Sequence, residues 1–152
     1  LGLSRLRAFL RRHPCIALDT SVFIYQLEAN PLYLPLTDRI FSWLERPASS
    51  AVTSTITMTE LLVQPYRLAS DPRVDQYFAL LSTFPNLRWI APDLEIAALA
   101  ARLRALHGLR TPDALLAATA AHSGATGLIT NDRAFERVPA FETLILDHLL
   151  DR

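Results

Sequence analysis

The apolar positions of this chain fall into short runs that alternate between strand and helix spacing. Leu3, Leu6, Phe9 and Leu10 recur among arginines at helical intervals, which predicts an amphipathic helix over Leu3–Arg12. His13-Pro14 stops it, because proline disfavours helix in the residue before it. Cys15–Leu18 then reads as a buried strand, and Asp19 follows it at once. A helical run from Thr20 to about Leu27 comes next. Ala29-Asn30-Pro31 breaks the chain, and Leu36, Ile40, Phe41 and Leu44 mark a helix over residues 32–44. Residues 49–54 are β-capable through Val52 and Thr53. Thr57-Met58-Thr59-Glu60 fits a capping box at the entry of a further helix, with Pro65 predicting a kink or an early end. Asp71-Pro72, a cap followed by proline in the first turn, opens a helix to about Phe84.

The second half continues the alternation. Leu87–Ile90 reads as a third strand, and residues 92–106 are rich in alanine and leucine, with helix ending at His107-Gly108. Thr111-Pro112-Asp113 opens another helix, with Thr111 as the expected cap. Gly127–Thr130 is a fourth strand, Asn131-Asp132 leads into a turn or short helix through Phe135, and residues 143–146 form a last strand. Strands separated by helices of ten to fifteen residues predict an α/β fold. Its parallel sheet would have about five strands and helices on both faces. We expect one domain over 1–152, with residues 1–14 as a helical extension and 15–146 as the core.

Composition narrows the chemistry. Fifteen basic residues balance fifteen acids, so any nucleic-acid surface has to be local. All fifteen are arginine, which excludes mechanisms built on a catalytic or phosphate-binding lysine, receiver domains among them. None of the four glycines clusters after the first strand, so a dinucleotide fingerprint is absent. His13, His107, His122 and His148 have no metal-ligand spacing. Asp19-Thr20-Ser21 lacks the second acid of an aspartyl-phosphate phosphatase. Cys15 is the only cysteine, so no internal disulfide forms, and no stretch reads as a targeting or membrane-spanning segment. A cytoplasmic protein is the expectation. The apolar fraction of 51% exceeds what one small core needs and suggests an oligomer or a partner protein.

Four carboxylates stand out by position: Asp19, Glu60, Asp113 and Asp132. Each has a capping explanation when taken singly, since acids are common at helix N-termini. Together they form a pattern. Asp19 and Asp132 follow strands, and Glu60 and Asp113 lie in the first turns of helices. In a parallel sheet all these places share one edge, where ligands bind. Carboxylates converging there repel one another unless a cation neutralises them or some take up protons. Oxygen ligands without histidine or cysteine favour Mg²⁺ or Mn²⁺ over zinc, and phosphodiester hydrolysis is chemistry of that kind.

Leu18-Asp19-Thr20-Ser21, Thr57-x-x-Glu60-Leu61, Thr111-Pro112-Asp113-Ala114-Leu115-Leu116-Ala117-Ala118 and Thr130-Asn131-Asp132-x-x-Phe135 together resemble the PIN-domain ribonucleases. The closest likeness is to the VapC-type toxins of toxin–antitoxin pairs. The resemblance covers about residues 15–146, and its Pro-Asp-Ala-Leu-Leu-Ala-Ala and Thr-Asn-Asp elements are the specific ones. It implies a three-layer fold and cleavage of RNA dependent on Mg²⁺ or Mn²⁺. It also implies a homodimer and a small antitoxin partner. Carried over by motif, Asp19 and Asp113 would be the principal metal ligands. Glu60 would help orient or activate the attacking water, and Asp132 would act directly or through water. Thr20, Ser21 and Thr130 would orient the acids, Asn131 would fix the turn before Asp132, and Arg110 and Arg133 would contact RNA phosphate. The chain departs from the pattern in its Leu1–Arg12 helix and its lack of lysine. The alternative is a non-catalytic domain of this fold that binds RNA or protein.

Overall fold

The computed structural model describes residues 2–151. Five parallel strands, β1 (Cys15–Leu18), β2 (Ser50–Ser54), β3 (Leu87–Ile90), β4 (Gly127–Thr130) and β5 (Glu142–Ile145), lie in the order β3-β2-β1-β4-β5. The helices are α1 (Leu3–Arg12), α2 (Thr20–Leu27), α3 (Leu34–Leu44), α4 (Thr55–Arg67), α5 (Asp71–Ser82), α6 (Leu94–His107) and α7 (Thr111–His122). Two short 3₁₀ turns, Arg133–Arg137 and Leu146–Leu149, flank β5.

The period of two along the strands divides the core into two clusters. Ile16, Leu18, Ala51, Leu87 and Ile129 pack with the apolar sides of α1, α2 and α3. Ala17, Val52 and Leu128 point the other way, onto α6 and α7. Buried Ala114, Ala117, Ala118 and Ala120 of α7 present almost no side-chain bulk, and this helix packs on β1 and β2. The chain passes from β1 to β2 and β3 on one side, then returns across β1 to place β4 and β5 on the other. The reversal lies between β1 and β4, the kind of switch point at whose C-terminal strand ends open α/β sheets bind ligands.

Five local readings change in the structure. The helix after β2 begins at Thr55, capped by Ser54 Oγ accepting from Ile56 N–H at 3.2 Å. Thr57 is therefore inside the helix, its hydroxyl bonded by that of Thr53 at 2.9 Å, and Glu60 sits one turn further in than a capping box requires. The same helix carries Pro65 without ending early, because the proline falls within three residues of its C-terminus. Asp71 and Thr111 are first helical residues rather than caps. The last strand starts at Glu142, one residue sooner than expected, and Leu146 begins a 3₁₀ turn.

The N-terminal helix is fastened to the body. Its Leu6, Phe9 and Leu10 are buried. His13, just past its end, sits between Thr126 Oγ1 (2.9 Å) and Glu142 Oε2 (2.6 Å), and Arg12 reaches Glu142 Oε1 at 2.6 Å. Gly127 makes this approach possible, since a Cβ there would lie 2.7 Å from the Phe9 ring and 2.9 Å from the His13 ring. Gly127→Ala is expected to destabilise the fold by about 1–3 kcal/mol through overpacking. Chemical denaturation should show the lower midpoint, and an unchanged midpoint would mean that α1 is not held against β4 in solution.

Candidate active site

Asp19 leaves β1 in extended conformation and caps α2, its Oδ1 accepting from Thr20 N–H at 2.8 Å. Its Oδ2 accepts from the Thr130 hydroxyl at 2.7 Å. Thr130 ends β4, and its Oγ1 also accepts the Asp132 N–H at 2.9 Å. One threonine thus joins the acid after β1 to the acid after β4. Asp132 in turn caps the following 3₁₀ turn, accepting from Ala134 N–H at 2.9 Å. A second threonine makes the matching link: the Thr20 hydroxyl donates to Glu60 Oε1 at 3.3 Å. Asp113 lies in the first turn of α7, with Arg110 Nε and Nη2 both 3.2 Å from its Oδ2.

The acids influence one another's ionisation. Burial pushes Asp19 up to about 6; the Thr130 and Thr20 bonds oppose this, and the charges of Asp113 and Glu60 add to it. Glu60 counts as exposed over the whole residue, yet the protein around its carboxyl raises its pKa, with Asp113 contributing repulsion. Asp113 is raised first by burial and then by Asp132, against the lowering effect of Arg110. The four expected acids therefore form one electrostatic group at one edge of the sheet.

The remaining expected residues are placed as follows. Ser21 Oγ is buried with no hydrogen-bond partner among the described residues. Asn131 donates to Tyr25 Oη (3.0 Å) and Asp147 Oδ1 (3.2 Å) and accepts from Asp147 N–H (2.8 Å). Tyr33 donates its hydroxyl to Asp147 as well, which raises its pKa to about 12. Sequence reasoning missed this clamp of Tyr25, Tyr33 and Asp147. Arg133 is paired with Glu136 at 3.2 Å, so both arginines near the acidic edge are engaged within the chain.

The donor set suits a hard divalent cation. Asp19 has one hydrogen bond on each oxygen and so keeps lone pairs free, and Asp113 Oδ1 and Asp132 Oδ2 have no hydrogen bond among the described residues. No three of the His, Cys, Asp and Glu side chains among the described residues form a ready-made shell. The arrangement fits an ion that keeps much of its water and takes only one or two carboxylates directly, as Mg²⁺ does.

A carboxyl whose pKa is higher in the folded than in the unfolded state stabilises the fold below the unfolded value. That contribution disappears as pH rises through the folded value. For Asp19 the window runs from 3.8 to about 6, and the amount is on the order of 3 kcal/mol. In EDTA, the melting temperature of Asp19→Asn relative to the unsubstituted protein should therefore become more favourable between pH 4 and pH 7. A difference independent of pH would contradict the strain assigned to Asp19. Thr130→Val, which removes the donor to Asp19 and the acceptor for Asp132, is expected to cost about 1–3 kcal/mol in the same denaturation assay.

The family model described as PIN domain matches residues 16–140. No curated protein matches the chain. Solved structures of similar fold include FitAcB from Neisseria gonorrhoeae, with 23% identity over 88% of this chain and 99% of that one and a TM-score of 0.65. VapC20 of Mycobacterium tuberculosis, a sarcin–ricin-loop-cleaving toxin, shows 18% identity over 80% of this chain and 92% of its own, with a TM-score of 0.64. VapBC-5 from the same organism, of the VapBC family of toxin–antitoxin systems, gives 27% identity over 86% and 98%, with a TM-score of 0.57. With the matched segment running from Ile16 in β1 through β2, β3 and β4 to residue 140, short of β5, and including all four acids, the chain belongs to the PIN domain family.

Proposed function

We propose that this protein is a metal-dependent ribonuclease and the toxin of a toxin–antitoxin pair. The observation that carries the reading is the coupled group of Asp19, Glu60, Asp113 and Asp132 at the sheet's switch point. Burial first, and then the charge of a neighbouring acid, raises the pKa of Asp19, Glu60 and Asp113, which supports a group of anions gathered at one place. Such an arrangement is stable when a cation completes it. A divalent ion bound there would supply Lewis-acid activation of water and charge neutralisation on the scissile phosphate.

The residues then divide the work. Asp19 and Asp113 would hold the cation, Asp19 being fixed in orientation by Thr130 and Thr20. Glu60, oriented by the Thr20 hydroxyl, accepts a proton from the attacking water. Asp132, positioned through Thr130 and its own cap, faces the same group. Arg110 holds Asp113 Oδ2 through a largely exposed guanidinium, which would also be within reach of an RNA phosphate bound at this edge.

The partner reading follows the neighbours of similar fold, several of which are toxin–antitoxin complexes. Two features of this chain support it. A groove beside Glu60, lined by Ile24, Leu27, Leu61, Pro65 and Tyr77, suits an apolar peptide segment of an antitoxin. A more open apolar depression of about 450 Å³, with Met58, Leu62, Phe78 and Trp89 in its walls, suits a second copy of the chain. No helix among the described residues is long and apolar enough to cross a membrane.

RNA cleavage in Mg²⁺ or Mn²⁺ should be abolished by EDTA and by Asp113→Asn, with the variant still folded. Full activity of that variant would remove Asp113 from the metal site and leave it an acid that complements the N-terminal end of α7. At a hundredfold excess over Kd, the metal should stabilise the unsubstituted protein by about 2.7 kcal/mol, a Tm rise of roughly 5–10 °C. The rise should be smaller at pH 5 than at pH 7.5, because protons compete for Asp19. A fully folded protein that binds RNA without cleaving it under any of these metals would favour the non-catalytic alternative.

A further inference from the structure

The helix that precedes residue 16, where the family match begins, builds a cleft that the acidic site does not use. Arg7, Leu10 and Arg11 of α1 face Arg39, Trp43 and Arg46 on and just beyond α3, around a space of about 170 Å³. The two helices pack on each other, and Leu10 forms the apolar floor. None of the four guanidinium groups has a carboxylate or any other hydrogen-bond partner among the described residues. The other arginines near α1 do: Arg12 holds Glu142 and Arg5 donates to His148 O. The Trp43 indole N–H likewise has no partner among the described residues, while Trp89 donates to Leu81 O.

Four like charges gathered without an ion-pair partner among the described residues repel one another. Arg11 and Arg46 lie at helix C-terminal ends, where a cation is favourable. Arg7 and Arg39 lie further back along their helices and are left unexplained by that effect. The ligand chemistry that satisfies the whole set is anionic and planar. Guanidinium forks pair with phosphate oxygens in two-point geometry, and an indole face accepts a stacked base. The space is of the size of one nucleobase.

The cleft's position is also informative. Both helices run antiparallel to the strands they precede, so their C-terminal ends lie at the sheet edge opposite the four acids. Strands of four to five residues span roughly 13–17 Å, so an RNA strand reaching from one edge to the other would need several nucleotides. We propose that the α1–α3 arginine–tryptophan cleft is a second RNA site, which holds a phosphodiester segment and one stacked base several nucleotides away from the position of cleavage. The assignment takes RNA as ligand from the reading above, but its binding step needs neither metal nor cleavage.

The test uses the full chain carrying Asp113→Asn in EDTA, with a fluorescein-labelled single-stranded 12-mer RNA read by anisotropy. Adding Arg7→Ala and Arg39→Ala together should weaken binding at least tenfold and reduce the salt slope by about 1.4, the value for two lost phosphate contacts on a single strand. The corresponding double Lys variant should recover much of the affinity, and Trp43→Leu should weaken it severalfold. A second readout needs no substitution in the cleft: phenylglyoxal labelling with mass spectrometry should show RNA protecting Arg7, Arg11, Arg39 and Arg46. Unchanged affinity in a folded Arg7/Arg39 double variant, or no protection of these arginines, overturns the proposal. Protection by a polyglutamate peptide but not by RNA overturns it in favour of an acidic protein segment. RNA bound and protected by a protein that never cleaves leaves this inference standing and removes the ribonuclease reading instead.

Discussion

Asp19 is a carboxylate that folding takes out of water and sets within electrostatic reach of two others, and much of the site exists to make that tolerable. Both of its oxygens receive a donor, one from the first N–H of α2 and one from the hydroxyl that ends β4. These bonds lower its pKa but do not overcome burial and repulsion, so the group remains near 6. Stabilising it further from within the protein would require another buried donor or a fixed cation. Among the described residues, the cation supplied to this group is Arg110, and it is placed on Asp113, on a largely exposed side chain. The residual strain is thus aimed at something that arrives from solvent.

The threonines are the mechanical part of this design. Thr130 accepts from Asp132 N–H while donating to Asp19, which fixes the hydrogen-bond direction at its hydroxyl and locks two loops to each other. Thr20 does the same across the other side of Asp19, through its backbone N–H to one acid and its hydroxyl to Glu60. The Asn131 contacts then tie the β4 loop to α2 and to the C-terminal 3₁₀ turn. Rotating Asp19 or Glu60 would break a bond to a threonine that also holds a second acid. Capping and ligation are compatible here, because each cap uses only part of a carboxylate's acceptor capacity.

The strands, the seven helices and the sequence positions of the acids were legible from periodicity, proline and glycine alone, because these signals are local. Cys15–Leu18, Leu87–Ile90 and Gly127–Thr130 are bounded by residues that punctuate the chain, and their limits match. Thr57-x-x-Glu60 misled because its spacing fits a capping box as well as any true one. What decides the helix start is Ser54, which can cap Ile56 only because β2 delivers it in extended conformation. Contacts between distant segments left no such mark. The Asn131–Tyr25 pair spans 106 residues and the His13–Thr126 pair 113. Gly127 reads as a strand start and is one, but its further function, making room for Phe9 and His13, depends on a segment more than a hundred residues earlier.

A formal charge of zero first argued against a nucleic-acid surface unless the charge was local. The structure supplies the locality. Acids collect where the strands end, while four arginines without a partner among the described residues line the cleft between α1 and α3. The two groups do not neutralise each other, because a sheet and its core lie between them and their fields are screened within roughly 8–10 Å of salt solution. A polyanion crossing the molecule meets both, repelled at one edge unless a cation is bound and attracted at the other regardless. This division gives α1 a physical purpose beyond covering the core: it contributes half of the positive cleft, and buried Phe9 and Leu10 with the His13–Glu142 bond fasten it to the body.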